Sequence, residues 1–152
     1  MLLRLQHTAQ FQAVMQAGVI ASTPHFVLHA MHWHPPEEPT HKPLIGAGRH
    51  LGVLVPKRHA KRAVTRSTIK RQMRAVFAAP EAMPTCTALV VRMRKEFDRK
   101  IFTSATSAPL RFAVRAELQT LLAHARWHGV KTVPMPYTPI PSASKPHRSS
   151  VS

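Results

Sequence analysis

The spacing of apolar residues along the chain predicts three helices and three strands. Apolar residues lie three or four positions apart, as on one face of a helix, in segments 8–18, 63–77 and 107–126. Short apolar runs, which are typical of strands, occur in segments 25–30, 51–55 and 85–93. The order along the chain is therefore helix, strand, strand, helix, strand, helix, which predicts helices packed on a mixed sheet.

Glycine and proline mark the ends of these elements. Gly18 follows the first helix, where a glycine in the left-handed conformation commonly ends a helix. Pro56 follows the second strand and has no N–H with which to continue a ladder. Pro109 stands near the start of the last helix, a position that proline favours. The Pro- and Gly-rich segment 31–50 is predicted to be a loop.

The composition changes at residue 129. From there to the end, proline recurs every few residues, serine is frequent and no periodic apolar pattern remains. Such a segment buries too little apolar surface to fold by itself. We therefore predict one folded domain, residues 1–128, followed by a disordered basic tail, residues 129–152.

Basic residues outnumber acidic ones by 22 to 6, which gives a formal net charge of +16. This much charge repels itself unless a polyanion neutralises it, and nucleic acid is the leading candidate. A membrane is the weaker alternative, because no apolar run approaches the ~18 residues that a spanning helix needs. The first residues lack the apolar stretch of a secretory signal, and the single cysteine, Cys86, fits a reducing compartment. We expect a soluble, cytoplasmic protein.

The segment KRHAKRAVTRSTIKRQMR, residues 57–74, concentrates this charge: eight of its eighteen residues are Lys or Arg and none is acidic. On a helix, Arg66, Lys70 and Arg74 stack one turn apart beside an apolar stripe that includes Ile69 and Met73. Each like-charge pair costs roughly 0.2–0.5 kcal/mol in an isolated helix. Phosphates aligned along this row of basic residues would offset the repulsion through counterion release.

The stretch HLGVLVPKRHAKRAVTRSTIKRQMRAVF resembles the signature region of the protein component of bacterial ribonuclease P. The flanking segments RLQHTAQFQAVMQAG, HFVLHA, TALVVRM and LRFAVRAELQTLL are similar to the family's other elements and occur in its order, so that the resemblance spans residues 4–125. It implies an α+β fold, an α/β sandwich with a mixed four-stranded sheet, ribosomal protein S5 domain 2-like. The general rule favours a right-handed strand–helix–strand crossover. The family has a left-handed one, which we adopt as the expectation.

The resemblance also implies a surface for the catalytic RNA subunit. The family's Arg-Asn-Arg motif falls at Arg66, Ser67 and Thr68, so only its first residue is kept, and Thr68 lacks the guanidinium fork that binds phosphate in a bidentate manner. Lys61 stands where the family usually has a small residue, so either the turn avoids positive φ or the alignment slips by one residue. The residues assigned to the RNA subunit are Lys57, Arg58, His59, Lys61, Arg62, Arg66, Ser67, Thr68 and Arg71.

A second implied site is a cleft for the single-stranded 5′ leader of precursor tRNA. Phe11 matches the aromatic position of the first helix, and Met15 stands one turn later, although both also suit plain core packing. Period-two alternation sends Val27 and His29 to one face of their strand, where His29 would lie at the cleft floor. The residues assigned to the leader are Phe11, Met15, Val27, His29, Lys70 and Arg74.

The family picture assigns no catalytic residue to the protein. The chain has six acidic residues, and three of them, Glu37, Glu38 and Glu81, lie near prolines. We therefore see no pair of carboxylates for acid–base or two-metal catalysis. The RNA subunit would cleave with Mg²⁺, and we expect no organic cofactor and no stable protein partner. A zinc site from the HAMHWH segment and His41 is a weaker alternative, because no cysteine pair or carboxylate completes it.

Two other functional classes share the charge and the α/β build. The main alternative is a ribosomal or other structural RNA-binding protein. A DNA-binding regulator is a third option, but the basic helix lacks the short preceding helix and tight turn of a helix-turn-helix unit.

Overall fold

All six predicted elements are present in the computed structural model, which describes residues 2–34, 42–78, 84–98 and 108–135. The helices are α1 (Thr8–Ala17), α2 (Ala63–Val76) and α3 (Ala108–Ala123), with a 3₁₀ turn at Trp127–Gly129. The strands are β1 (Leu2–Arg4), β2 (Val19–Ser22), β3 (Phe26–His32), β4 (Arg49–Leu54) and β5 (Thr87–Met93). The loop predicted for 31–50 is shorter than expected, because β3 and β4 both extend into it.

The five strands form one mixed sheet in the order β1-β4-β5-β3-β2. The β1–β4 and β4–β5 pairs are parallel, and the other two pairs are antiparallel. The α+β class is confirmed, but the sheet formed by the described residues has five strands rather than four. The outer strands β1 and β2 contain three and four residues, too few to show a periodic pattern. Helix α2 connects the neighbouring parallel strands β4 and β5, and the hand of this crossover stays a prediction.

Helices cover both faces of the sheet. Helices α2 and α3 pack on one face, while α1 packs on the other. The core on the α2–α3 side includes Phe26, Leu28, Leu89, Val91, Ile69, Met73, Val114 and Leu118. The core on the α1 side includes Val14, Ala17, Met31, Trp33, Ala88 and Val90. Strands β3 and β5 are therefore buried on both faces, as central strands are.

The carboxylate of Glu117 fastens α3 to the turn between β2 and β3. Its Oε2 accepts hydrogen bonds of 2.7 Å from the Thr23 hydroxyl and from the His25 backbone N–H. Its Oε1 lies 2.7 Å from His25 Nδ1. The His25 ring in turn stacks on Phe97, with ring centroids 4.0 Å apart and planes 7° apart. These contacts fix the position of α3 relative to the antiparallel half of the sheet.

Gly18 joins α1 to β2 with φ 131° and ψ 166°. A glycine is required at this positive φ, as the sequence predicts, because L side chains rarely adopt it. The ψ value is extended, however, so the residue does not form the left-handed cap that was expected. The chain consequently passes directly from the helix into the sheet.

The first residues of the predicted tail pack against the domain. The His32 backbone N–H donates to the Lys131 carbonyl at 3.0 Å, and the Val133 N–H donates to the His32 carbonyl at 2.8 Å. Met135 is buried, with 7% of its surface exposed. Packing thus continues past the predicted boundary at residue 128, because these residues pair with the end of β3. The remainder of the predicted tail, 136–152, lies outside the described residues.

Two truncations test this boundary. A chain that ends at Met135 should keep the melting temperature of the full chain. A chain that ends at Gly129 loses two backbone hydrogen bonds, at about 1 kcal/mol each, and the burial of Met135, at about 1.5–3 kcal/mol. It should melt roughly 10 °C lower by calorimetry. Equal melting temperatures for the two truncations would show that residues 130–135 add no stability.

Candidate nucleic-acid interface

The loop between β4 and α2 presents a cluster of cations. Its side chains Lys57, Arg58, Lys61 and Arg62 are exposed, and His59 is half-buried. The backbone N–H groups of residues 59 and 60 donate to the Pro56 carbonyl at 3.0 and 3.2 Å, which forms a tight turn. Cys86 is the only described non-glycine residue with positive φ. Lys61 therefore occupies an ordinary conformation, and this turn needs no glycine there.

Arg66 ties this loop to the first turns of α2. Its Nη1 donates to the carbonyls of Ala60 at 3.0 Å and Lys61 at 2.9 Å. Helix α2 has no side-chain cap at its N-cap residue, Arg62. The guanidinium of Arg66 therefore has a structural role in holding the loop, in addition to any contact with a phosphate.

The remaining predicted residues of α2 are exposed to different extents. Ser67 and Arg71 are exposed, and Lys70 and Arg74 are half-buried on the flank of the helix. Thr68 is buried, with 3% of its surface exposed, and its hydroxyl donates to the Val64 carbonyl at 2.8 Å. Thr68 therefore cannot contact RNA as the sequence predicted, because its side chain lies on the inner side of the helix.

The basic flank of α2 extends to the edge of the sheet. Burial, together with the positive charge of Arg4 on β1, lowers the pKa of Arg74 from its ordinary value. Arginine remains charged in proteins at all relevant pH values, so the partly buried Arg74 keeps its positive charge near that of Arg4. We refer to the following set as the basic surface: Arg4, Lys57, Arg58, His59, Lys61, Arg62, Arg66, Ser67, Lys70, Arg71 and Arg74.

On the opposite face of the sheet, the ring of Phe11 lies against the backbone of β4 at Gly52. A Cβ atom added at Gly52 would lie 2.4 Å from Cε1 and 2.9 Å from Cζ of this ring. Only glycine therefore lets the ring approach so closely. Phe11 and Met15 are both half-buried on the same flank of α1. Phe11 thus lies over β4, and Met15 packs against the apolar cluster on the same face of the sheet.

Arg92 of β5 is a functional candidate that the sequence analysis missed. It lies in register between Leu54 of β4 and Val27 of β3. Its Nε donates to His29 Nε2 at 3.0 Å, and the arginine remains half-buried. The signal was available, since Arg92 is the one charged residue in the strand TALVVRM. We call Phe11, Met15, Gly52, Leu54 and Arg92 the aromatic cleft.

Val27 and His29 do not form an open cleft floor as predicted. Each exposes only 4% of its surface, because β3 is covered on both faces. Burial lowers the pKa of His29, and the positive charge of Arg92 lowers it further. A backbone contact with Met15 has the opposite effect. A neutral imidazole can accept the Arg92 hydrogen bond, so His29 orients the arginine from below.

The basic loop and the aromatic cleft meet at the end of β4 and β5. Slight burial and the charges of Arg58 and Arg92 lower the pKa of His59, while Glu96 acts in the opposite direction. Arg92 of the cleft pairs with Leu54, the last residue of β4, directly before the segment that contains the loop cations. A polyanion can therefore contact both surfaces at this end of the sheet.

Lys70 and Arg74 are not brought together with Phe11. Their helix buries Ile69 and Met73 against one face of the sheet, whereas α1 buries Val14 and Ala17 against the other. The sheet thus separates the two halves of the predicted leader site. The cation on the sheet face that Phe11 covers is instead Arg92, which lies diagonally across from Gly52 in the register of β4 and β5.

Two further observations concern the described part of the chain. Within residues 2–34, 42–78, 84–98 and 108–135, no group of three His, Cys, Asp or Glu side chains is placed to hold a metal ion. No helix in these ranges is both long enough and apolar enough to cross a membrane. His41 of the zinc alternative lies outside the described residues, as do Glu37, Glu38 and Glu81.

Comparisons with known proteins agree with the resemblance. A family model described as Ribonuclease P matches residues 2–124. The chain is 33% identical over 122 residues to the Ribonuclease P protein component of Burkholderia mallei (strain SAVP1), covering 80% of this chain and 81% of the relative. It is 30% identical over 115 residues to the Bordetella parapertussis component, covering 76% and 85%. Its fold is similar to that of the Thermotoga maritima RNase P protein, with TM-score 0.54, 21% identity and coverage of 78% and 96%.

Two buried histidines make stability depend on pH. Burial lowers the pKa of His29 below the ordinary value of 6.5. Burial also lowers the pKa of His50, although a backbone contact with Gly48 opposes that shift. At pH values between the lowered pKa and 6.5, the unfolded chain binds more protons than the folded chain. The stability that these histidines contribute is therefore fully present above pH 6.5 and decreases as the pH falls. Each histidine contributes a slope of up to about 1.4 kcal/mol per pH unit.

Urea denaturation at a series of pH values measures this slope. The change His29→Gln keeps an acceptor for Arg92 but removes the titration, so the slope should decrease. The change His34→Gln, at an exposed position, provides the matched control and should leave the slope unchanged. An equal decrease in both variants would contradict the assignment to buried His29.

Proposed function

The chain belongs to the ribonuclease P protein family, the protein components of an endoribonuclease that matures the 5′ ends of tRNA, and we propose that its two surfaces bind different RNA segments. The basic surface would contact the catalytic RNA subunit, and the aromatic cleft the 5′ leader of precursor tRNA. We place this activity in the cytoplasm. No feature of the described residues favours the ribosomal or DNA-binding alternatives.

The charge arrangement supports assignment of the basic surface to the RNA subunit. Its cations come from β1, the loop before α2 and the flank of α2, and most of them are exposed. Concentrated like charge is unfavourable in the free protein and becomes favourable when phosphates release their counterions. Arg66 contributes by holding the loop in place, so that Lys61 and Arg62 approach the RNA with a defined backbone.

The observation that carries the leader assignment is the pairing of a flat aromatic ring with an oriented cation. Phe11 is held against Gly52, and Arg92 of the neighbouring strand is hydrogen-bonded to His29. Single-stranded RNA binds through base stacking on aromatic rings and through cations that follow its backbone. The cleft provides both contacts without demanding a particular base, as a site for varied leader sequences requires.

The protein would assist cleavage by binding rather than by chemistry. Of the three described carboxylates, Glu117 is engaged by Thr23 and His25 in fastening α3. We propose that the Mg²⁺ ions needed for hydrolysis are held by the RNA subunit and that the protein lowers the magnesium concentration required. The purified chain alone should then leave precursor tRNA intact, and RNA-free cleavage would contradict this division.

The fit between Phe11 and Gly52 can be tested by one methyl group. Gly52→Ala forces the ring to move, so the holoenzyme should bind precursor tRNA roughly tenfold more weakly, the scale of one stacking contact. Binding of mature tRNA, which lacks the leader, should not change. Gly46→Ala is the matched control, since a Cβ there meets nothing within 4 Å. Equal weakening of both tRNAs by Gly52→Ala would place Phe11 in the core rather than in a leader site.

The two surfaces should also separate in a pair of titrations. Arg71 is exposed and, unlike Arg66, has no bond to the loop, so Arg71→Ala should lower the salt slope of RNA-subunit binding by about one. Arg92→Ala should leave assembly with the RNA subunit unchanged and weaken precursor tRNA relative to mature tRNA. If Arg92→Ala weakened assembly instead, the cleft would belong to the RNA-subunit surface.

A further inference from the structure

A second polar site lies at the end of the sheet opposite to the basic loop. There Arg49 of β4, Thr87 of β5 and His32 of β3 are neighbours in register across three strands. His32 Nδ1 lies 3.0 Å from the Thr87 hydroxyl. Because β5 contains seven residues, this row is about 20 Å from the basic loop, at ~3.3 Å per residue.

A cavity of about 120 Å³ opens beside this row. It is lined by His32, Pro84, Thr87, Trp127 and Val130, and we call it the end pocket. The Trp127 ring is half-buried and forms an aromatic wall. Drug-sized ligands occupy cavities of roughly 300–1,000 Å³, so the end pocket suits a smaller planar group.

Among the residues that the structure describes, those with charged side chains around the end pocket are basic. Arg49 and Lys131 are exposed, and Lys131 is held close by the hydrogen bond of its carbonyl with His32. The exposed His34 ring lies 5.8 Å from the His32 ring. The described acidic residues, in contrast, are Glu96 and Asp98 after β5 and Glu117 beside the start of β3, all at the other end of the sheet.

We propose that the end pocket binds one unpaired RNA base, stacked on Trp127, with the adjoining phosphates contacted by Arg49 and Lys131. This contact goes beyond the proposed function, which uses only the basic surface and the aromatic cleft. An aromatic wall with flanking cations is the combination that binds single-stranded RNA. The distance from the basic loop makes the end pocket a separate contact, so a long folded RNA can engage both ends of the domain.

Tryptophan fluorescence provides a readout specific to this site. The chain has two tryptophans, and Trp33 is buried with 2% of its surface exposed, so Trp127 is the tryptophan on which a base can stack. Titration of the full chain with single-stranded oligouridylate should quench the emission. The quenching should persist in Phe11→Ala, which disables the aromatic cleft, so failure of the leader assignment and failure of this inference are distinguishable.

Affinity measurements complete the test. Trp127→Ala should weaken oligouridylate binding by the Phe11→Ala protein roughly tenfold, whereas Trp127→Phe should retain it, since phenylalanine also stacks. Lys131→Ala should lower the salt slope by about one. Phe112→Ala, which removes an aromatic ring that is 74% exposed on α3, is the matched control and should leave affinity unchanged.

Three results would overturn the inference. Emission that does not respond to RNA would exclude stacking on Trp127. Unchanged affinity in a folded Trp127→Ala protein, or an equal loss in Phe112→Ala, would exclude a specific contact. The third result is an emission that changes when the chain is truncated after Met135 but does not respond to RNA in either the full or the truncated chain. It would identify the chain's own residues 136–152 as the occupant of the end pocket.

Discussion

The central constraint on this structure is that β3 and β5 must be buried on both faces. Their side chains alternate between two separate cores, so one helix has to cover one face while two helices cover the other. This requirement separates the aromatic cleft from the flank of α2, although both belong to one small domain. A sheet covered on one face only would have brought Lys70 and Phe11 to the same side.

Charge imposes a second constraint, and the structure meets it by spreading the cations over several elements. The basic residues of α2 lie on its flank rather than under it, where burial without partners would be costly. Arg66 satisfies part of its hydrogen-bonding capacity with backbone carbonyls of the preceding loop. What remains uncompensated is the electrostatic repulsion itself, which an RNA partner relieves. The fold thus tolerates charge that only the assembled complex stabilises.

The pair Arg92–His29 illustrates how a charged group can be fixed inside a central strand. Arg92 is stable there because its Nε donates a hydrogen bond to the buried, neutral imidazole of His29, while the arginine remains partly exposed to solvent. The histidine that the resemblance placed at the cleft floor therefore acts through the arginine. His29 is itself nearly inaccessible to solvent, but its hydrogen bond positions the more accessible cation of Arg92.

The sequence by itself determined the order of the three helices and the three longer strands, the basic helix and the class of partner, because these depend on local periodicity and on summed charge. It also indicated the family, through the continuous stretch around α2. Only the tertiary structure decided that Thr68 is buried, that Arg92 rather than Lys70 accompanies Phe11, and that residues 130–135 pack on β3. Periodicity shows which residues share a face of one element, but not which face of the sheet that element covers. Strands of three or four residues, such as β1 and β2, exist because of their neighbours, so their own residues carry too little pattern to predict them.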